Sequence, residues 1–208
     1  MFAFFGCSVA FGDKVVRGNR ATKESEHGLN AFSSPRTQAV AEIGIDILPA
    51  EHRIKRYNGD PVLFTDFDTN IEFYQQSSGT STRLFERYVD DPEIHGIIIG
   101  AYGAGNVQER LVPHIEKATK QGKPVLVVTN CKLGAADMGI YEVGSAPLKA
   151  GAISAGDLTM EAAIQKLMFA IGRANTSPHV GSKRLEYIRS LIHRVYSQDM
   201  TSTGDRFQ

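Results

Sequence analysis

Two clusters of polar residues have types and spacing that can serve chemistry. The first ends the stretch Gly96-Ile97-Ile98-Ile99-Gly100-Ala101-Tyr102-Gly103-Ala104-Gly105-Asn106, where an apolar β-branched run opens into a glycine-spaced turn with an asparagine at its tip. A side-chain amide donates and accepts hydrogen bonds at once. The second is Thr129, Cys131 and Tyr141, after the apolar run Val125-Leu126-Val127-Val128. A phosphate-cradling reading of the glycine turn requires a third glycine and an acidic residue ending the next strand. Position 108 is Gln108 and the next strand ends in Thr129-Asn130, so the dinucleotide fingerprint fails twice. The plain alternatives are a tight turn that uses glycines at positive φ, and a strand end with a buried thiol and a packed aromatic. Cys7 and Cys131 share no metal-ligand spacing with any histidine, and neither a metal nor an organic cofactor is expected.

The elements that position these groups form an alternating series. Residues 70–76 read as a strand with Ile71, Phe73 and Gln75 on one face, and residues 81–89 as a helix with Leu84, Phe85 and Tyr88 at helical spacing. Residues 95–101 lack alternation, as a parallel strand covered on both faces should. A helix over 108–120 turns Leu111, Val112, Ile115 and Ala118 inward and stops at Gly122. A second buried strand over 124–130 follows, then a short helix over 142–149 despite Pro147, and a short strand over 152–155. Thr159 caps a helix running to residue 174, with Ala162, Ala163, Leu167 and Ile171 inward. This order implies α/β architecture, a small parallel sheet flanked by helices and joined by right-handed crossovers.

The flanks differ. Residues 8–16 read as a hairpin turning at Gly12-Asp13, residues 24–35 as an irregular loop, and residues 39–43 as a short helical turn. Past Thr176-Ser177-Pro178, an amphipathic helix over 182–199 carries Leu185, Ile188, Leu191, Ile192 and Val195 on one stripe, and residues 201–208 read as disordered. The expected division is 1–44, a linker at 45–61, an α/β domain at 62–175, and a helix with tail at 176–208.

Composition limits the functional classes. The 23 basic and 23 acidic side chains cancel, which argues against nucleic acid or a membrane surface as partner. No apolar run approaches the ~18 residues needed to span a bilayer. The apolar start, residues 1–10, has no preceding basic residue and is followed at once by Asp13 and Lys14, so it reads as a buried strand rather than a signal peptide. Cytosolic thiols are the simpler reading of the two cysteines.

Together the glycine-asparagine loop, Val125-Leu126-Val127-Val128-Thr129-Asn130-Cys131, Gly139-Ile140-Tyr141-Glu142-Val143-Gly144 and Ala155-Gly156-Asp157-Leu158-Thr159 resemble the C-terminal domain of L-asparaginases, threonine-dependent amidohydrolases. Arg17-Gly18-Asn19-Arg20-Ala21-Thr22-Lys23 and Asn30-Ala31-Phe32-Ser33-Ser34-Pro35 resemble the close of the N-terminal domain in the cytosolic members. Residues 1–44 are then a remnant of that domain. The resemblance implies hydrolysis of L-asparagine to L-aspartate and ammonia, a cytoplasmic location and a homo-oligomer. It also implies that Asn106 is a substrate-binding residue supplied in trans, its amide suited to a carboxylate and an ammonium together. In some members the strand end matching Thr129, Cys131 and Tyr141 lines a regulatory site for free asparagine. Where an arginine precedes the tyrosine of the loop in the family, this chain has Gly100-Ala101.

One part of the pattern is absent. The family's nucleophile lies in a threonine-glycine-glycine-threonine turn, assisted by a histidine-glycine-threonine-aspartate segment and a lysine. Neither string occurs among these 208 residues. Ser78-Gly79-Thr80-Ser81 lies in the register of a strand-to-helix turn, while Thr65-Asp66 and Thr69 lack flanking glycines, so none is taken as a nucleophile. The expectation is a chain with no catalytic residue of its own, inactive alone: truncated, one part of a split enzyme completed by an N-terminal half, or degenerate. Two other functions stay open, a component like the D-type chain of a tRNA-dependent amidotransferase and an inactive amino-acid-binding or assembly module.

Overall fold

The computed structural model describes residues 6–50, 59, 60, 62–138 and 142–201. They fall into two compact units, one holding the residues up to Phe64 with those from Val195 onward, the other Thr65–Arg194.

In the first unit, β1 (Ser8–Phe11) and β2 (Lys14–Arg17) form the expected antiparallel hairpin, turning at Gly12-Asp13 with Ser8 opposite Arg17. β3 (Thr22–Lys23) pairs with β4 (Phe32–Ser33), so the segment expected to be an irregular loop holds a short strand. The helical turn expected at 39–43 is instead β5 (Ala41–Ile43), antiparallel to β2 with Val15 opposite Ala41. A few residues form too few bonds to offset helix nucleation, whereas here an open sheet edge and the small core of Val15, Val40 and Ala41 are at hand. β6 (Ile47–Pro49) completes the order β1-β2-β5-β6, placing a strand inside the segment read as a linker. Residues 51–58 and 61 of that segment lie outside the described residues. Pro49 is tolerated because β6 is an edge strand.

The charged turn after β2 is structural. Arg17 and Arg20 are buried. Arg20 Nε donates to Gln198 O at 2.9 Å and Asn19 Nδ2 to Ser197 O at 3.1 Å, clamping the returning chain within the same unit.

The second unit is the expected α/β layer. β7 (Ile71–Gln75), β8 (Gly96–Ala101), β9 (Val125–Thr129) and β10 (Ile153–Ser154) are all parallel, in the order β10-β9-β8-β7. Because the order runs steadily across the sheet, right-handed crossovers put α1 (Arg83–Asp90), α2 (Val112–Lys120) and α3 (Glu142–Lys149) on one face. Ile97, Ile99, Val125 and Val127 meet Phe85, Val89, Leu111 and Ile115 there. The alternate residues of β8 face α4 (Met160–Asn175): a Cβ on Gly96 would sit 2.6 Å from Ile171 Cδ1. Thr159 caps α4 as expected, its hydroxyl accepting from Ala162 N at 3.2 Å. Each of the fully buried isoleucines and leucines contributes about 1.5–3 kcal/mol.

Ile71, Phe73 and Gln75 share one face of β7, where Phe73 and Gln75 are exposed, and the buried residues are Tyr74 on the other face and Gln76 just past the strand. Two sequence expectations shift. On α1 the buried stripe is Phe85 and Val89, and Leu84 faces outward. α5 (Ser182–His193) ends before the expected residue 199. Arg194 is extended and Val195 belongs to the first unit, with Ser197 and Gln198 at positive φ closing a turn held by Tyr196 N donating to Asp199 Oδ1. Residues 202–208, in the tail read as disordered, lie outside the described residues. Among the described residues no helix is long and apolar enough to cross a membrane.

Candidate functional site

The carboxyl ends of β7, β8 and β9 converge on one loop, where open parallel sheets place their ligands. β8 runs out at Ala101, and the chain reverses over five residues. Asn106 N donates to Tyr102 O at 2.8 Å and Tyr102 N to Asn106 O at 3.3 Å, pairing the two ends of the turn. Between them Gly103 and Gly105 take φ of +49° and +94°, a region that costs a side chain roughly 1–2 kcal/mol. Gly105 is needed for space as well, since a Cβ there would lie 2.7 Å from Met138 Cγ.

Two side chains fasten this turn to the sheet. Thr129, 2% exposed at the end of β9, donates from Oγ1 to Gly103 O at 2.5 Å and accepts from Cys131 N at 3.0 Å. Gln76, just past β7 and 0% exposed, donates from Nε2 to Asn106 O at 2.6 Å and accepts at Oε1 from Gln108 N at 3.2 Å. The main chain at Asn106 is thus held from both sides. Its side-chain amide is half-buried and, among the described residues, engaged in no hydrogen bond.

Of the residues singled out in the sequence, Asn106 and Thr129 come together on this loop. Cys131 lies next to them, exposed, and makes no disulfide. Tyr141 lies outside the described residues. Thr80 spends its hydroxyl on Ser77 O at 2.8 Å in an exposed turn before α1. No group of side chains able to hold a metal ion occurs among the described residues.

Gln76 was missed. Its signal was available: a polar residue two positions from Tyr74, on the face that alternation turns inward.

A second polar cluster, with no motif in the sequence, occupies the opposite end of the same sheet. The Asp68 carboxylate, 9% exposed, accepts from His95 Nδ1 at 2.7 Å, Asn175 Nδ2 at 2.8 Å and Asn70 N at 3.1 Å. Burial pushes its pKa up, but the bonds from His95, Asn70 and Asn175 and the charge of His95 outweigh it and hold the carboxyl below its ordinary range. Arg184 donates to Asn175 Oδ1 at 2.7 Å and to Gly122 O at 3.2 Å. Lys123, 8% exposed, donates to Tyr88 O, Val89 O and Asp91 O, each at 2.8 Å. These carbonyls end α1, so the lysine caps that helix from inside. Burial lowers its pKa, against the pull of Asp91 and Asp90.

The two units match known sequences separately. Residues 70–181 match the profile of the glutaminase/asparaginase C-terminal domain, and residues 3–55 that of the asparaginase N-terminal domain. An L-asparaginase from Thermococcus kodakarensis is 32% identical over 202 residues, covering 96% of this chain and 58% of the relative. The solved structure of the thermostable L-asparaginase from Thermococcus kodakarensis superimposes with a TM-score of 0.83 at 33% identity, over 95% of this chain and 58% of that one. The D-type chain of the glutamyl-tRNA(Gln) amidotransferase of Aeropyrum pernix is 28% identical over 186 residues, covering 86% of this chain and 40% of the relative. The chain therefore spans less than two thirds of the length of each.

Proposed function

The chain belongs to the glutaminase/asparaginase family, and from that premise we propose that it supplies the substrate-contacting C-terminal domain of an L-asparaginase-type amidohydrolase. The reaction is L-asparagine and water to L-aspartate and ammonia. The observation that carries this reading is the Asn106 amide, held out from a fastened loop at the carboxyl end of the sheet and used by no described neighbour. An amide in that position donates to a substrate carboxylate and accepts from its ammonium group, orienting the side-chain amide for attack. The threonine strings that would supply the nucleophile are not among these 208 residues. The bond-breaking groups are therefore assigned to another segment, whether on a separate polypeptide or on more of the same one. In this reading Asn106 reaches its substrate across a subunit interface, in a cytoplasmic homo-oligomer.

Thr129 enters this reading as a loop-holding residue rather than a ligand contact, because its hydroxyl is buried and already bonded at Gly103 and Cys131. Regulatory binding of free asparagine is then left to Cys131 and Tyr141.

Ammonia release from L-asparagine tests the reading, with the 208-residue chain alone and after addition of an asparaginase N-terminal fragment carrying both threonine strings. Activity on mixing alone is expected. Activity of the chain by itself contradicts the assignment of the nucleophile to another segment. The similarity to the D-type amidotransferase chain favours a second reading, release of ammonia from glutamine for a tRNA-linked partner. Preference for L-glutamine over L-asparagine in the same mixture would select it.

A further inference from the structure

We propose that Gln76 is the positioning residue that sets Asn106 in its substrate-binding posture, an inference that rests on the reading of Asn106 above. The carboxamide of Gln76 is fully buried and both of its functional atoms are used on the loop. Nε2 meets Asn106 O, and Oε1 meets Gln108 N. The bond to Asn106 O is the shorter of the two which that carbonyl accepts, 2.6 Å against 3.3 Å from Tyr102 N. On its other side, Asn106 N is fixed to Tyr102 O at 2.8 Å. With the peptide planes before and after its Cα both held, the direction of the Asn106 side chain from the main chain is set before any ligand arrives.

No other described side chain does this. Thr129 reaches the turn at Gly103, three residues earlier, and Gln108 Nε2 reaches back only to Ser77 O at 3.0 Å. Gln76 itself is anchored, following directly on β7, whose Gln75 pairs with Gly100. The glutamine therefore couples the end of β7 to the residue that β8 delivers. A buried amide of this kind is tolerated only when satisfied, and here the loop is what satisfies it.

The test begins with amide hydrogen exchange, monitored by NMR on the full 208-residue chain and its Gln76→Leu variant. Leucine keeps the bulk and removes both bonds. Exchange at Gln108 should rise about tenfold, the loss expected for one net hydrogen bond, while amides of β9 keep their protection. Unchanged exchange at Gln108 overturns the proposal. Should Gln76→Leu fail to fold, Gln76→Glu serves. Its carboxyl accepts from Gln108 N in either form but donates to Asn106 O only when protonated.

In the mixture with the N-terminal fragment, kcat/KM for L-asparagine should fall ~10-fold in Gln76→Leu. In Gln76→Glu it should recover, relative to wild type, as pH falls through the raised pKa of a buried carboxyl. A purely structural glutamine gives no such recovery. Asn106→Ala should abolish the effect of Gln76→Leu, and additive losses in the double variant contradict positioning through Asn106. If Asn106→Ala alone leaves kcat/KM unchanged, the substrate reading of Asn106 fails, while the exchange result still decides whether Gln76 holds the loop.

Discussion

The two ends of the parallel sheet handle polar groups in opposite ways. At the end where the strands begin, Asp68 and Lys123 are buried and each makes three hydrogen bonds to partners inside the fold. At the end where they finish, Thr129 and Gln76 are equally buried, but they spend their bonds on the main chain of a glycine turn. That turn holds Asn106 half-buried, its amide unspent among the described residues. Burial and perturbed titration alone would have pointed to the first end as the functional one. Accounting for every donor and acceptor points to the second. A charged group whose partners are all internal stabilises the fold, whereas an amide on a fixed main chain with nothing inside to bind is available to a ligand.

The contrast predicts that variants at the first end cost stability. Lys123→Met leaves three helix-ending carbonyls without their donor, and should lower unfolding free energy in urea by about 3 kcal/mol. A loss near zero would mean that water replaces the ammonium and that this end is wetter than its burial implies.

Asp68→Asn should cost less, about 1–2 kcal/mol at pH 7. The sign with pH follows from the depressed carboxyl. The native state holds this proton more weakly than the unfolded chain, so the contribution is present above the ordinary aspartate value of about 3.9 and is lost as pH falls through the lower native value. Wild type and variant should therefore converge in stability as the pH falls through that lower native value. A difference that stays constant from neutral pH to well below the ordinary aspartate value would remove this account of the cluster.

Thr129→Val, at the other end, should cost only about 1 kcal/mol globally, because the bonds it removes hold a loop rather than the core. Its main effect should be faster amide exchange around Gly103 and Cys131. A larger loss of global stability than in Asp68→Asn would blur the division between the two ends.

The sheet and its helices were legible in the sequence because buried parallel strands write unbroken apolar runs, as in residues 97–99 and 125–128, and helices such as α4 carry both stripe and cap. The first unit was less legible. β5 and β6 are three residues each, shorter than any periodicity can register, and exist through pairing, β5 with β2 and β6 with β5, that sequence spacing does not encode. Asn106 was legible because glycines mark its turn. Gln76 was marked only by alternation with Tyr74, and Asp68 and His95 not at all. Asp68 and Asn175 are 107 positions apart in the chain, and only the packing of α4 brings them together.

The most direct test compares two variants in the mixture with the asparaginase N-terminal fragment: Asn106→Ala from one end of the sheet and Asp68→Asn from the other. kcat/KM for L-asparagine and the Tm of the chain are read for both. Asn106→Ala should lose ~100-fold in kcat/KM with an unchanged Tm. Asp68→Asn should keep kcat/KM within about twofold while its Tm falls by a few degrees, roughly 2–4 °C per kcal/mol for a domain of this size. The reverse pattern, activity lost with Asp68 and retained without Asn106, would contradict the assignment of substrate contact to the glycine loop.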